Sequence, residues 1–418
     1  MTQGTTHPSI QDAIDLAVHG DEIVVDPGEY FENLNLLGKT ITLRSQDPTD
    51  PQIVVSTIIN GGGLYDSIAV LRCMNGETLD TVVSGFVITG GGVMPFGLGG
   101  GAFVYESSLT LTHCTITNNI AELGGGGLYV GRGDLVVREC TISDNTGFDH
   151  GGGIHVASNA SALIDSCCFS KNEAVRGMNS GMGGAAYLAG SVEITGCEFI
   201  ANVAEYGGAL HTGSGTSTVQ NCSFVGNQAS ELGGAIDNQH GTLSVEDCAF
   251  EGNAAIVHGG AIHLYQGSTT LTSCTFRANE AGAHGGALDT VHENLEATLS
   301  DCHFLANTAA LSGGGIASRF CAAPTITACT FHGNQATSGG GLYTDVDSSA
   351  TVADTWLTGN APDQIVGSYT DDGGNVIGPF TPPPTKAVDP CPEDINSDGV
   401  VDQADLGALL AVYGDNCP

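Results

Sequence analysis

Within most of this chain, apolar and polar positions keep no helical spacing over a 10-residue stretch, Gln403–Val412 with Leu406, Leu409 and Leu410 on one face excepted, and alternate only in short runs. They recur instead as a block. From about Ser84 to Asn360 the block reads Cys-x-Phe-x-x-Asn, a variable stretch, Gly-Gly-(Gly/Ala)-(Ile/Leu), a second variable stretch, and Cys again. The cysteine column is Cys114, Cys140, Cys167, Cys197, Cys222, Cys248, Cys274, Cys302 and Cys329, with a step of about 27 residues. Two residues on stand Ile116, Ile142, Phe169, Phe199, Phe224, Phe250, Phe276, Phe304 and Phe331. Residues i and i+2 of a strand share a face, so both columns point into one core. Alternation stops at the third column, Asn119, Asn145, Asn172, Asn202, Asn227, Asn253, Asn279, Asn307, Asn334 and Asn360. The backbone is predicted to turn there, each Asn bonding the corner and the Asn one turn away.

Each block carries two or three β-prone runs, such as Leu243–Glu246, Ala249–Phe250 and Ala261–Leu264, with no amphipathic helix between them. The fold class expected is all-β: a right-handed, single-stranded parallel β-helix of about 12 turns. Gly-Gly pairs suit its sharp corners, where a Cβ would clash. At the start, Ser9-Ile-Gln-Asp12 reads as a helix N-cap, with Ile10, Ala13, Ile14 and Ala17 on one face before Gly20. That helix should cap the N-terminal end, followed by strands at Glu22–Val25 and Thr40–Leu43. The expected organisation is a β-helix over 1–375 (cap 8–20, regular repeats 84–360), a Pro-rich linker over 376–390 around Thr381-Pro-Pro-Pro-Thr385, and a small module over 391–418.

Composition narrows the partners. The 418 residues include 62 glycines and 46 acidic against 10 basic side chains, a net charge of −36. Such a chain repels phosphate backbones and anionic lipid surfaces, so no nucleic-acid partner is expected, and no run is long enough for a membrane span. Met1–Pro8 shows no export signal.

Two segments resemble known families. Ser9-Ile-Gln-Asp-Ala-Ile-Asp15, Gly20–Val25, Pro27-Gly-Glu-Tyr30 and Ile41-Thr-Leu43 are similar to the opening of pectin-lyase-like β-helix proteins. The Phe-x-x-Asn and Gly-Gly-Ala-Ile elements resemble the repeats of polymorphic outer-membrane proteins, a family of surface β-helices implicated in adhesion. Both resemblances imply the same fold, which hosts lyases, hydrolases, adhesins and scaffolds.

In the tail, Asp394-Ile-Asn-Ser-Asp398-Gly-Val-Val-Asp402-Gln-Ala-Asp405 fits a twelve-residue EF-hand-like Ca2+ loop. Its ligands would be Asp394, Asn396, Asp398, the Val400 carbonyl, Asp402 and Asp405, with Gly399 at the sharp turn. The shorter Asp405 and the single loop resemble a GC-type dockerin-like module, which implies an anchoring or cohesin-like partner. Cys391 and Cys417 flank it and are placed for a disulfide in an oxidising compartment. The repeat cysteines read as buried free thiols, Cys168 as an outward reactive thiol, and Cys73 and Cys321 fall outside the column.

The residue after each Gly-Gly-x-(Ile/Leu) should face outward: Tyr129, His155, Tyr187, His211, Asp237, His263, Asp289, Ala317, Tyr343. The expectation is a solvated polar ladder or a glycan groove, with Asp237, His263 and Asp289 as the candidates should it be catalytic. A lyase also needs cations, and Arg132, Arg138, Lys171, Arg176, Arg277 and Arg319 share no column. The residues therefore favour an extracellular or cell-surface, non-catalytic adhesion or glycan-binding scaffold meeting a polysaccharide or receptor. The alternative is an extracellular polysaccharide-degrading enzyme, a lyase or glycoside hydrolase.

Overall fold

A computed structural model describes residues 7–63, 69–92 and 97–378. The chain divides into two compact units, Met1–Ile377 and Gly378–Pro418. Of the second unit only Gly378 is described, so the Ca2+ loop, Cys391, Cys417 and most of the linker lie outside the described residues.

The first unit is a solenoid of parallel strands in sheets of 25, 14 and 8 strands. The 14-stranded sheet takes one strand per turn, so thirteen steps separate its ends, one more turn than the repeat count suggested. One turn illustrates the rest. Ile236–Asn238 and Thr242–Glu246 are two strands of the wide sheet, Ala249–Glu251 belongs to the second sheet and Ala254–Ala255 to the third. Each pairs in register with its counterpart on the next turn, for example Phe250 with Phe276.

Three side-chain ladders fill or line the interior. The phenyl rings from Phe169 to Phe331 stack with centroids 4.5 to 4.9 Å apart. Each is fully buried, contributing about 1.5–3 kcal/mol by burial and about 0.5–1.5 more by stacking. The cysteine column is buried and free, and backbone N–H groups donate to the next sulfur at 3.3 to 3.4 Å, as from Cys114 to Cys140 and from Cys222 to Cys248. Thr355 ends that column, its Oγ1 accepting from the Cys329 N–H at 3.2 Å.

The asparagine column works as expected. Asn253 Nδ2 donates to the Phe224 carbonyl (2.8 Å) and to Asn279 Oδ1 (3.0 Å), while its own Oδ1 accepts from the backbone N–H and Nδ2 of Asn227 at 3.0 and 2.9 Å. Gln364 terminates it by accepting from Asn360 Nδ2 at 2.6 Å.

Two corners depart from the glycine-centred expectation. The residue before each Cys and the residue before each Asn take left-handed φ even where they are not glycine, as at Asp247 (φ 51) and Ala278 (φ 50). Hydrogen bonds to the next turn hold them there, Asp247 N–H to the Thr272 carbonyl and Ala278 N–H to the Leu305 carbonyl at 3.1 and 3.0 Å. Glycine is required at Gly234, where a Cβ would enter the space of the Gly260 carbonyl oxygen on the next turn.

The N-terminal helix runs Ile10–Leu16, with the Ser9 side chain accepting from the Asp12 N–H and Ile10 and Ile14 buried over the first turn. It stops short of Gly20 because Lys39 Nζ donates to the Ile14 and Asp15 carbonyls at 2.6 and 2.8 Å, capping the helix from outside. Among the described residues no helix is long and apolar enough to cross a membrane.

Candidate functional site

The outward column on the first leg of the wide sheet is longer than its Gly-Gly signature. In register it runs Asn35, Arg72, Phe103, Tyr129, His155, Tyr187, His211, Asp237, His263, Asp289, Ala317, Tyr343, Val366. Arg72 and Phe103 escape the motif because they follow Leu71 without a glycine pair and Ala102 instead of Ile or Leu.

Its middle is not the solvated ladder expected. Asp237 and Asp289 are 0% exposed, His211 4% and His263 3%. A second row, one residue before each Gly corner, runs beside them. It includes His150, Tyr206, His258, His284 and Ser312, joined by parallel bridges from turn to turn.

The buried members form one ionic chain across five turns. His263 Nδ1 lies 2.7 Å from Asp237 Oδ1, and His211 Nδ1 lies 2.9 Å from Asp237 Oδ2. The His211 contact is close but too poorly aligned for a hydrogen bond, so its strength is Coulombic. Gln239 Nε2 donates to Asp237 Oδ2 at 3.2 Å. On its other side His263 Nε2 stands 3.6 Å from Asp289 Oδ2. Arg319 clamps Asp289 with two bonds, Nε to Oδ1 at 2.9 Å and a terminal nitrogen to Oδ2 at 2.8 Å. Asp289 pairs in register with Ala317, and Arg319, two residues further on the same face, reaches back over that small side chain. The basic residues share no column, as expected, but register still brings Arg319 into contact with the acidic one.

Electrostatics follow from these contacts. Burial opposes charge on Asp237, but His211 and His263 outweigh it and hold the carboxyl well below its usual range. Burial likewise opposes charge on His263, and Asp237, with Asp289 behind it, overrides this and raises its pKa. The neighbouring imidazoles go the other way. Burial pushes His155 down to about 3, with His150 adding to it, and pushes His258 down to about 4.

Toward the N-terminal end the column turns aromatic. Phe103 stacks on Tyr129 (5.5 Å), His155 meets Tyr129 and Tyr187 edge-on (5.0 and 4.9 Å), and Tyr187 stacks on His211 (5.3 Å). Burial raises the Tyr187 phenol and keeps it protonated. Tyr206 is also raised, by burial and by Glu205, Glu231 and Asp237. No group of three or more His, Cys, Asp or Glu among the described residues is arranged to hold a metal ion. Cys168 is disulfide-bonded and buried, so the reactive thiol expected there is absent, and Cys321 is the exposed free cysteine among the described residues.

Fold and site together define a parallel β-helix protein with a buried acid–base chain on one face of its coil. The chain belongs to the right handed beta helix region family, which it matches over residues 80–241 and 233–378. No curated protein sequence matches it. Among solved structures it is similar to a PL6 alginate lyase in complex with a trisaccharide, at 13% identity over 86% of this chain and 84% of that one, with a TM-score of 0.35. It is also similar to a mannuronic acid specific polysaccharide family 6 lyase from human gut microbiota, at 12% identity over 86% and 87% with a TM-score of 0.40. A third, alginate lyase AlyF-OU02 with G6, gives 12% identity over 88% and 84% and a TM-score of 0.28. The expectation of a non-catalytic adhesion scaffold finds no support in these comparisons, whose structures are by name polysaccharide lyases, and the solvated His/Asp ladder expected from the repeat is corrected to a buried ionic chain.

Proposed function

We propose that the chain is an extracellular polysaccharide-degrading enzyme that cleaves a uronate-bearing polysaccharide by β-elimination at His211. The observation that carries this reading is the buried chain His211–Asp237–His263–Asp289–Arg319. A glycoside hydrolase would present two carboxyl groups to the sugar, one protonated. Here both carboxyl groups are wholly buried, Asp237 is held as the anion, and Asp289 is locked by Arg319. The groups left to move protons are imidazoles and phenols, which suit elimination.

In that reaction His211 Nε2 takes the proton α to the uronate carboxyl group, and the electron pair forms the C4–C5 double bond. The C4–O4 bond breaks, and the leaving oxygen receives the proton of the Tyr187 phenol. Asp237 orients His211 and stabilises its imidazolium.

The test is the full chain against galacturonate and mannuronate/guluronate polymers, alginate included, following unsaturated-product absorbance and reducing ends together. Elimination products are expected, reduced about 100-fold or more in His211→Ala when assayed at a temperature where circular dichroism shows the variant folded. Reducing ends without unsaturation, or no turnover on any polyuronate, would overturn the elimination reading.

The calcium-binding tail belongs beside this proposal as an anchoring module for the enzyme. Support comes from the loop pattern Asp394, Asn396, Asp398, Val400, Asp402, Asp405, with Cys391 and Cys417 flanking it. Calorimetric Ca2+ binding should disappear in Asp394→Ala/Asp398→Ala, and its survival would remove the loop assignment.

A further inference from the structure

We propose that Arg72 is a distal carboxylate subsite, and that the substrate is a polyuronate chain lying along the coil axis from His211 to Arg72. This rests on the elimination reading and gives it a substrate length and direction.

Arg72 occupies the same outward register as His211, five rungs earlier: Arg72, Phe103, Tyr129, His155, Tyr187, His211. Its guanidinium differs from the other cations of this face. Arg319 is clamped on Asp289, and Arg132 pairs with Glu106 at 2.8 Å while lying over Tyr105. Arg72 has no acidic partner among the described residues, and its Nε is buried without a hydrogen-bond partner. A half-buried guanidinium with an unsatisfied donor is strained by desolvation, and an incoming carboxylate relieves it with charge-assisted bonds.

The path between the two cationic ends suits a sugar chain. Its four intervening rungs are aromatic, and burial keeps His155 neutral. Phe103 and Tyr129 stack face to face while His155 meets Tyr129 and Tyr187 edge-on, so the path offers apolar carbon with phenol and imidazole edges, and no fixed negative charge on the column itself. At about 4.8 Å per rung the distance is about 24 Å, and since a 1,4-linked sugar advances by a similar length, about five to six units span it. A uronate carboxyl at one end of such a segment would meet Arg72, with the reacting unit at His211.

The experiment measures binding of galacturonate and mannuronate trimers and hexamers, and of neutral cellohexaose, to the full chain and to Arg72→Met and Arg72→Lys. Calorimetry reads binding whether or not turnover occurs, so this test is separate from that of elimination. Expected is tighter hexamer than trimer binding in the parent chain, loss of about tenfold in hexamer affinity in Arg72→Met, and partial recovery in Arg72→Lys. Trimer affinity at the His211 end should stay unchanged. Where turnover is measurable, the loss should fall on KM and leave kcat. An unchanged hexamer-to-trimer ratio in Arg72→Met, equal binding of cellohexaose, or no oligouronate binding at all would overturn the subsite. A hexamer preference that depends on Arg72 without any elimination would sustain it and reject the reaction.

Discussion

Asp237 stands between two imidazoles at 2.7 and 2.9 Å with no exposure to water. Asp237→Asn removes the anion and leaves His263 charged on one side without a counter-charge, so stability should fall by about 3–5 kcal/mol and turnover by about 10²–10⁴-fold. An Asn variant that melts like the parent and keeps its rate would contradict the ionic chain. The two shifts also set a pH window. A lowered Asp237 contributes stability that is present above its unfolded value near about 3.9 and is lost as pH falls through the lowered folded value. A raised His263 contributes stability that is full below about 6.5 and is lost as pH rises through its raised folded value. Melting temperature should therefore peak between about pH 4 and 6.5, and His263→Gln should flatten the alkaline limb. A profile in His263→Gln identical to the parent's would reject this origin. The candidate triad Asp237, His263 and Asp289 was legible because it alternates on successive turns. Arg319 was not, since it sits two residues beyond a column position filled by Ala317, and only register brings it back to Asp289. Burial of the stripe was equally invisible, because alternation alone assigns the off-core face of a strand to solvent.

At the scale of the element, the Asn253 side chain holds four bonds, two as donor and two as acceptor, so Asn253→Ala leaves buried groups on both neighbouring turns unpaired. A loss of about 2–4 kcal/mol is expected, with hydrogen-exchange protection falling first at Asn227, Asn279 and the strands beside them. Uniform loss of protection over the whole coil would show instead that the turns melt as one unit. The Cys, Phe and Asn columns announced these elements from sequence because an in-register stack asks the same residue for the same job on every turn. The second helix, Pro51–Ser56, gave no such notice: it is one short element outside the repeat, with only Val54 buried. The non-glycine corners were missed for a different reason. Their left-handed backbone is sustained by hydrogen bonds to the next turn, which local propensity does not contain.

Across the whole molecule, a net charge of −36 works against compaction through self-repulsion. Raising salt from low ionic strength should therefore raise the melting temperature, and no change up to about 0.15 M, where the screening length is about 8 Å, would show the charges already spaced beyond mutual reach. The parallel coil followed from periodicity alone, because a repeat of this length with three strand-sized runs has few other ways to bury its columns. The regularity that made it legible carries a hazard for the folding chain. A strand docking one turn out of place still finds a phenyl ring for its phenyl ring, an amide for its amide and a thiol for its thiol. The sequence His211, Asp237, His263, Asp289, Arg319 changes from each storey to the next, and a one-turn slip sets like residue against like or strands Arg319 without its acid. The residues assigned to chemistry thus also number the floors, telling the growing coil which turn belongs above which.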